Sequence, residues 1–378
     1  MKQKILNVVG VMSGTSLDAC DFVLTKIHVS THKKITQVEF VDHVQKALPK
    51  ALRQQTWSLL ENPNSKFSFE EIARLNQAWG QYYGNQFVAI QKQKKWKVDL
   101  IGLHGQTVYH KGGRLTWQMG SLAKVASLVS VPVVGDFRSL DVEMGYQGAP
   151  LAPLFHEILI PKTHRSVQSV HNLGGISNLT LIRNHSVSLA FDTGPANMPM
   201  DTYLASVTRG KVLFDKNGEI AAQGKVHEPL LSKLKRHSFF SKKPPKSTGR
   251  EQFGGVWLRS QLKSFSKLPK EDVVSTLTEW VAWSMAHSYL SFCPKKEIPS
   301  HIYFCGGGAL NLELLNRVQA LLPQTRVHTT EVLGWPVFAV EAGCFAYLAA
   351  ARVMGYRWNL HQITGNPNPI PLGVIYEA

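Results

Sequence analysis

The feature that most constrains this chain is a pattern that occurs twice: an apolar strand-like run, a tip of small polar residues, and a second strand-like run. Residues 5–10 lead through Met12-Ser13-Gly14-Thr15-Ser16-Leu17-Asp18 into residues 22–27. About half a chain later, residues 167–170 lead through Asn172-Leu173-Gly174-Gly175-Ile176-Ser177-Asn178 into residues 179–182. A hairpin tip of this composition offers backbone N–H groups and hydroxyls with no side-chain bulk in the way, which is the chemistry of a phosphate cradle. Gly, Ser and Asn are also ordinary turn residues, so either tip alone reads equally as a plain turn. The repetition points instead to two related lobes gripping one polyphosphate.

A third segment agrees. A buried-type strand at 302–305 runs into Gly306-Gly307-Gly308 and then a helical pattern of Leu312, Leu314, Leu315, Val318, Leu321 and Leu322. Consecutive glycines at a strand-to-helix turn let a flat ligand or a phosphate approach the backbone closely.

Composition sets the outer limits. A chain of 378 residues with 44% hydrophobic content is long enough for two domains with their own cores. No apolar run reaches the roughly 18 residues that span a bilayer, and the N-terminus has no signal-peptide core, which predicts a cytoplasmic protein with no membrane partner. Cys20, Cys293, Cys305 and Cys344 lack metal-ligand spacing and read as reduced core residues. The net charge of +16 raises nucleic-acid binding, with lysine clusters at 92–97 and 242–246 as the patches. The first cluster ends a helical stretch, where cations complement the dipole, and a basic field equally attracts an anionic small substrate. No nucleic-acid partner is expected, and a homodimer stays open.

Strands and helices alternate along the chain. A long helix opens on a capping box, Ser68 with Glu71, and carries Ile72, Leu75, Trp79, Tyr82, Phe87 and Ile90 at helical spacing. A strand at 100–103 ends in His104-Gly105-Gln106-Thr107, and another at 131–134 ends in Gly135-Asp136-Phe137-Arg138. Open α/β sheets place their ligands at such polar strand ends. The turn-rich stretch 145–150 reads as a hinge, giving an N-terminal lobe over 1–145 and a second lobe over 146–366. The tail at 367–378 is expected to pack on the first lobe, and 365–371 reads as Pro/Gly/Asn-rich. Two carboxylates stand out as acid/base candidates: Asp192 at the end of an apolar strand and Glu341 at the start of an apolar helix. Each also has a plain reading, as a helix cap or as an answer to a helix dipole.

Eight motifs in order carry a resemblance. They are residues 10–18, His104-Gly105-Gln106-Thr107, Asp136-Phe137-Arg138, Gln147-Gly148-Ala149-Pro150-Leu151, residues 172–178, Phe191-Asp192-Thr193-Gly194-Pro195, Pro244-Pro245-Lys246-Ser247-Thr248-Gly249-Arg250-Glu251 and Gly306-Gly307-Gly308. Together, over about residues 8 to 350, the chain resembles the anhydro-N-acetylmuramic acid kinases of the sugar kinase, heat-shock protein 70 and actin superfamily. The resemblance implies an α/β fold of two lobes with duplicated ribonuclease H-like (actin/hexokinase-type) cores around a nucleotide cleft. It also implies conversion of 1,6-anhydro-N-acetylmuramic acid from cell-wall turnover to N-acetylmuramic acid 6-phosphate, with ATP, water and Mg2+.

Carried over by position, Gly14, Thr15, Ser16, Leu17, Asp18, Ala19, Cys20 and Asp21 form the first phosphate loop. Asn172, Gly174 and Gly175 belong to the second, and Gly306, Gly307, Gly308 and Asn311 lie on the nucleotide. Asp192 matches the catalytic aspartate, Glu341 the helix-borne glutamate, and Arg138 a substrate-binding arginine, with His104 and Gln106 also on the sugar. Opening the anhydro bridge needs water at the anomeric carbon while O6 departs, close in kind to inverting glycoside hydrolysis. The departing oxygen then attacks the γ-phosphate, and aligned N–H donors with the metal ion carry the charge.

Three positions depart from the family pattern: Ala19, Ala196 and Tyr146 stand where glycine is usual. If those backbones are left-handed, each substitution costs roughly 1 to 2 kcal/mol. A non-catalytic nucleotide-binding protein of the same fold and a kinase for a related amino or anhydro sugar are the competing expectations. A serine hydrolase using Ser13 or Ser16 lacks its G-x-S-x-G elbow, and no G-x-x-x-x-G-K-[ST] loop is present.

Overall fold

The computed structural model describes residues 4–14, 17–61, 66–161, 166–293 and 298–378. They form two compact units, Met1–Leu159 with Phe338–Ala378, and Ile160–Val337.

In the first unit, β1 (Lys4–Ser13), β2 (Ala19–Val29) and β3 (Ile35–Ala47) form an antiparallel meander. After the long helix Phe69–Lys94 come β4 (Leu100–Leu103), a separate hairpin of β5 (Gln106–Lys111) and β6 (Leu115–Met119), and β7 (Val133–Gly135). β4 pairs parallel with β1, and β7 parallel with β4. Val8, Val9 and Val11 of β1 are all buried, as a central strand covered on both faces requires.

The second unit repeats the plan. β8 (Gln168–Leu173), β9 (Ile176–Arg183) and β10 (Ser186–Pro195) form the meander, and β11 (His301–Cys305) and β12 (Arg326–Thr329) add in parallel beside β8. The strand orders are β3-β2-β1-β4-β7 and β10-β9-β8-β11-β12. Numbered from its own first strand, each is 3-2-1-4-5, three antiparallel strands followed by two parallel ones. This is the duplicated ribonuclease H-like α/β core that the resemblance implies. The chain closes with β13 (Trp358–Leu360) and β14 (Asn366–Ile370), paired with each other, and β15 (Val374–Tyr376), antiparallel to β7 in the first sheet.

Each unit is organised by one long helix. The Phe69–Lys94 helix begins at the capping box: Ser68 Oγ accepts from the Glu71 N–H at 3.2 Å, and Glu71 Oε2 accepts from the Ser68 N–H at 2.7 Å. It buries Trp79, Tyr83, Phe87 and Ile90 against the first sheet, and burying a large apolar side chain contributes about 1.5–3 kcal/mol each. The Lys270–Phe292 helix does the same for the second unit with Trp280, Val281, Met285 and Tyr289. The four cysteines are buried and none is in a disulfide. Among the described residues, no helix is long and apolar enough to cross a membrane.

The unit boundaries differ from the hinge at 145–150 and the second lobe over 146–366. The helix Ala152–Leu159 belongs to the first unit, and so does the helix Ala339–Val353 with Glu341. The cause is local. Gly10 of β1 and Gly102 of β4 present no side chain where this helix crosses, and a Cβ there would overlap the carbonyls of Ala342 and Phe345. A helix apolar on all sides carries no stripe in its sequence to say which sheet it covers. Within the Pro/Gly/Asn-rich tail, residues 366–370 form β14, two of their positions pairing with β13 across a bulge.

Candidate active site

In the first unit the tip between β1 and β2 is closed by the Leu17 N–H donating to the Gly14 carbonyl at 3.2 Å. Leu17 has φ +56° and is fully buried. An L-residue in this conformation costs roughly 1–2 kcal/mol, a strain held here by burial in the unit's core. Thr15 and Ser16 lie outside the described residues. Asp18, exposed, pairs with Arg53 at 2.9 Å. Cys20 is buried opposite Ser13, and Asp21 Oδ1 meets His43 Nε2 at 2.7 Å and accepts from Gln45 Nε2 at 3.0 Å. Asp21 is thus tied to β3, and Asp18 is the carboxylate left at the exposed rim of the tip.

The strand ends bring His104 and Arg138 together. His104 Nε2 lies 3.1 Å from Arg138 Nε and 2.9 Å from Nη2, while Arg138 Nη1 donates to the Gly148 carbonyl at 2.9 Å. Arginine only donates, so Nε2 accepts and the ring proton sits on Nδ1, facing the Gly105 carbonyl at 2.8 Å. Burial, with the guanidinium beside it, pushes His104 well below the usual imidazole range. Burial likewise draws Arg138 down to about 10, against the pull of Cys344 and Glu341. Glu341 therefore acts electrostatically on Arg138 within the same unit. Gln106 is also fully buried; its Oε1 has no hydrogen-bond partner among the described residues. A cavity of about 280 Å³ opens beside these groups, lined by His104, Gly105, Trp117, Gln118, Asp136 and Ser139 among others.

In the second unit the tip between β8 and β9 is joined to the glycine triplet. The carbonyls of Gly174 and Gly175 accept from the N–H groups of Asn197 and Ala196, each at 3.0 Å. A Cβ at Gly306, whose φ is +79°, would lie 2.5 Å from Asn172 Oδ1, and one at Gly308 would lie 2.6 Å from Asn197 Oδ1. Two of the three glycines thus let backbone pack on the hairpin, and Gly307 between them is exposed. Asn311 caps the helix Leu312–Leu321, its Oδ1 accepting from the Leu314 N–H at 2.9 Å.

Asp192 sits on β10 opposite Asn178, at a register shift between Asp192 and Gly194. Its N–H donates to the Lys246 carbonyl at 3.1 Å, and its Oδ2 accepts from the Thr248 N–H at 2.9 Å. Behind Asp192 runs a buried chain of polar side chains that has no signature in the sequence. Ser169 Oγ donates to the Thr180 carbonyl at 3.0 Å, so it accepts from Tyr289 OH at 2.7 Å. Tyr289 in turn accepts from His171 Nδ1 at 3.0 Å, which leaves Nε2 to accept from Ser177 Oγ at 2.6 Å, and Ser177 Oγ accepts from Thr193 Oγ1 at 2.7 Å. Every member of the chain is fully buried. One direction of donation satisfies each group, and the chain ties the second hairpin and the residue after Asp192 to the Lys270–Phe292 helix.

Ala19, Ala196 and Tyr146 are absent from the left-handed positions. The expected backbone penalty does not arise, because these peptides take conformations open to any residue. Among the described residues no cluster of three His, Cys, Asp or Glu side chains could cage a metal ion.

Comparison with known proteins points the same way along the whole chain. The sequence profile described as anhydro-N-acetylmuramic acid kinase matches residues 6–378. Proteins named anhydro-N-acetylmuramic acid kinase are 37% identical in Shewanella amazonensis, over 98% of this chain and 98% of that one. The relative so named in Caldanaerobacter subterraneus is 35% identical over 97% of this chain and 96% of its own. The one in Pasteurella multocida is 35% identical over 100% and 98%.

Proposed function

Because the chain belongs to the anhydro-N-acetylmuramic acid kinase family, and so is an ATP-dependent sugar kinase, we propose that it opens 1,6-anhydro-N-acetylmuramic acid with water and phosphorylates it. The product is N-acetylmuramic acid 6-phosphate. Water supplies the new anomeric hydroxyl, the C1–O6 bond breaks, and O6 takes the γ-phosphoryl group, leaving ADP. A step that consumes ATP on sugar from cell-wall turnover belongs in the cytoplasm.

The observation that supports this most is the repeated 3-2-1-4-5 sheet, each copy carrying a small-residue hairpin tip at the end of its first strand. Asp192 is the general base that takes a proton from the attacking water, the backbone N–H on Oδ2 fixing its plane. Arg138 and His104 orient the sugar, Gln106 offers its buried Oε1 to a donor on it, and Glu341 tunes Arg138 and helps to orient the water. The two tips supply N–H donors to the phosphates, and the exposed backbone of Gly307 meets the nucleotide. Gly14, Leu17, Asp18, Asn172, Gly174 and Gly175 act through the backbone of these tips.

Mg2+ fits such a donor set. It is held mainly by phosphates and water with one or two carboxylates, without an all-protein cage, and Asp18, exposed at the rim of the first tip, is the carboxylate of the first unit that would meet it. When bound it neutralises phosphate charge.

The test is turnover of a panel of anhydro and free amino sugars with ATP and Mg2+ in isotope-labelled water, with products read by mass. Label at the anomeric carbon together with phosphate on O6 is expected. Phosphorylation of a free amino sugar alone, or unlabelled product, overturns the coupled ring opening.

A further inference from the structure

The motif Pro244-Pro245-Lys246-Ser247-Thr248-Gly249-Arg250-Glu251 enters the reaction as derived so far only through the Thr248 N–H, yet it meets Asp192 twice. The Lys246 carbonyl takes the Asp192 N–H, and the Thr248 N–H sits on Asp192 Oδ2. Between these two contacts the Lys246 side chain turns inward. Its ammonium lies 4.1 Å from the ring centre of Phe292, 4.6 Å from that of Phe239 and 5.5 Å from that of Phe191. It also donates to the Phe239 carbonyl at 3.4 Å. The rings come from three elements: β10, the turn Ser238–Ser241 and the end of the Lys270–Phe292 helix. One ring, Phe191, directly precedes Asp192, so the cage and the carboxylate share a strand.

We propose that Lys246 is a positioning residue for Asp192: seated in the three-ring cage, it fixes residues 246–248 against β10 and holds the Thr248 N–H on Oδ2. The inference rests on the reading of Asp192 as the base. A carboxylate that takes a proton from one water needs a fixed plane, and misplacement by about 1 Å can cost a hundredfold in rate. Cation–π attraction, about 0.5–2 kcal/mol from exposed to desolvated pairs, favours the ammonium in the cage. The charged neighbours are few: Asp192 attracts the ammonium, Lys242 repels it, and His287 on the long helix is pushed down in part by it. Burial lowers Lys246 to about 8 against the pull of Asp192, so the ammonium persists at neutral pH while its desolvation works against the fold.

That last point separates positioning from simple packing. Lys246→Met keeps the length of the side chain and removes the charge and the donor. The expected result is a kcat lowered by about ten- to a hundredfold, an unchanged KM for ATP, a melting temperature equal to or above that of the unaltered protein, and faster hydrogen exchange at the Thr248 amide. Lys246→Arg, which also stacks on aromatic faces, should recover most of kcat. Unchanged kcat and unchanged Thr248 exchange in the Met variant overturn the proposal. So does a loss of kcat that tracks a fall in melting temperature and is not relieved by arginine. If the Met variant fails to fold, Lys246→Gln is read by the same criteria. Asp192→Asn is assayed alongside: an active Asn variant overturns the base assignment, whereas an inactive one beside a fully active Met variant overturns only the role of Lys246.

Discussion

His104 Nε2 accepts from two N–H groups of Arg138 at once, at 3.1 and 2.9 Å. The fork of the guanidinium and the single tautomer of the imidazole define each other, and the third donor on Gly148 locks the pair to the neighbouring loop. Lysine in place of Arg138 keeps the charge and loses the fork. Arg138→Lys should raise KM for the sugar about tenfold or more and leave KM for ATP unchanged, as steady-state kinetics with each substrate varied will show. Equal changes in both constants would remove Arg138 from the sugar side.

Acid should weaken the first unit through two buried imidazoles. Burial holds His104 well below its usual range and His156 down at about 3. Above the unfolded value of about 6.5, both states are neutral and nothing changes. Below it the unfolded chain takes up protons that the folded chain refuses, so stability falls with pH at up to about 1.4 kcal/mol per pH unit for each group. Urea midpoints at about pH 7.5 and about pH 5 measure the loss, and His156→Gln should flatten part of it.

Crowding at the sheet–helix crossing makes Gly10→Ala and Gly102→Ala destabilising. The added carbon would overlap the backbone of Ala342 or Phe345, which cannot swing aside as a side chain does. A loss of about 1–3 kcal/mol or more is expected for each, read as a lowered melting temperature. A melting temperature at the unaltered value would mean that the helix sits further from the sheet.

The glycine triplet divides by role. Gly307→Val should fold normally and raise KM for ATP far more than that for sugar, because Gly307 is exposed. Gly306→Ala and Gly308→Ala should lose stability, because their new carbons meet Asn172 and Asn197. Measuring KM and melting temperature on all three variants checks both statements.

Asp192→Asn should lower kcat by about 10² to 10⁴ and leave ATP binding in place, since the amide is nearly isosteric and cannot take the proton. Turnover near that of the unaltered enzyme would move the base elsewhere.

Short-range chemistry was what the sequence made legible. Both hairpins, the capping box at Ser68 and Glu71 and the strand before Gly306 are written in neighbouring residues, and the fold follows them. β3 was not legible, because a long half-exposed edge strand lacks the dense apolar run that marks β1. Nor was the placement of Ala339–Val353, which depends on two glycines more than 200 positions away. The chain from Thr193 to Ser169 joins His171 to Tyr289 across 118 positions, and no local spacing encodes it. Asn311 was legible as a polar residue after glycines, but its side chain serves the helix it opens.

Backbone pressed on backbone at Gly10 and Gly102 leaves the Ala339–Val353 helix no cushion of side chains to absorb a displacement. β1 ends in the first hairpin tip, and the helix begins, two residues after its start, with Glu341. The strand that carries the first tip and the helix that carries Glu341 thus share one seam of touching main chain, so the distance between them is set by backbone and not by any side chain that a substitution could trim.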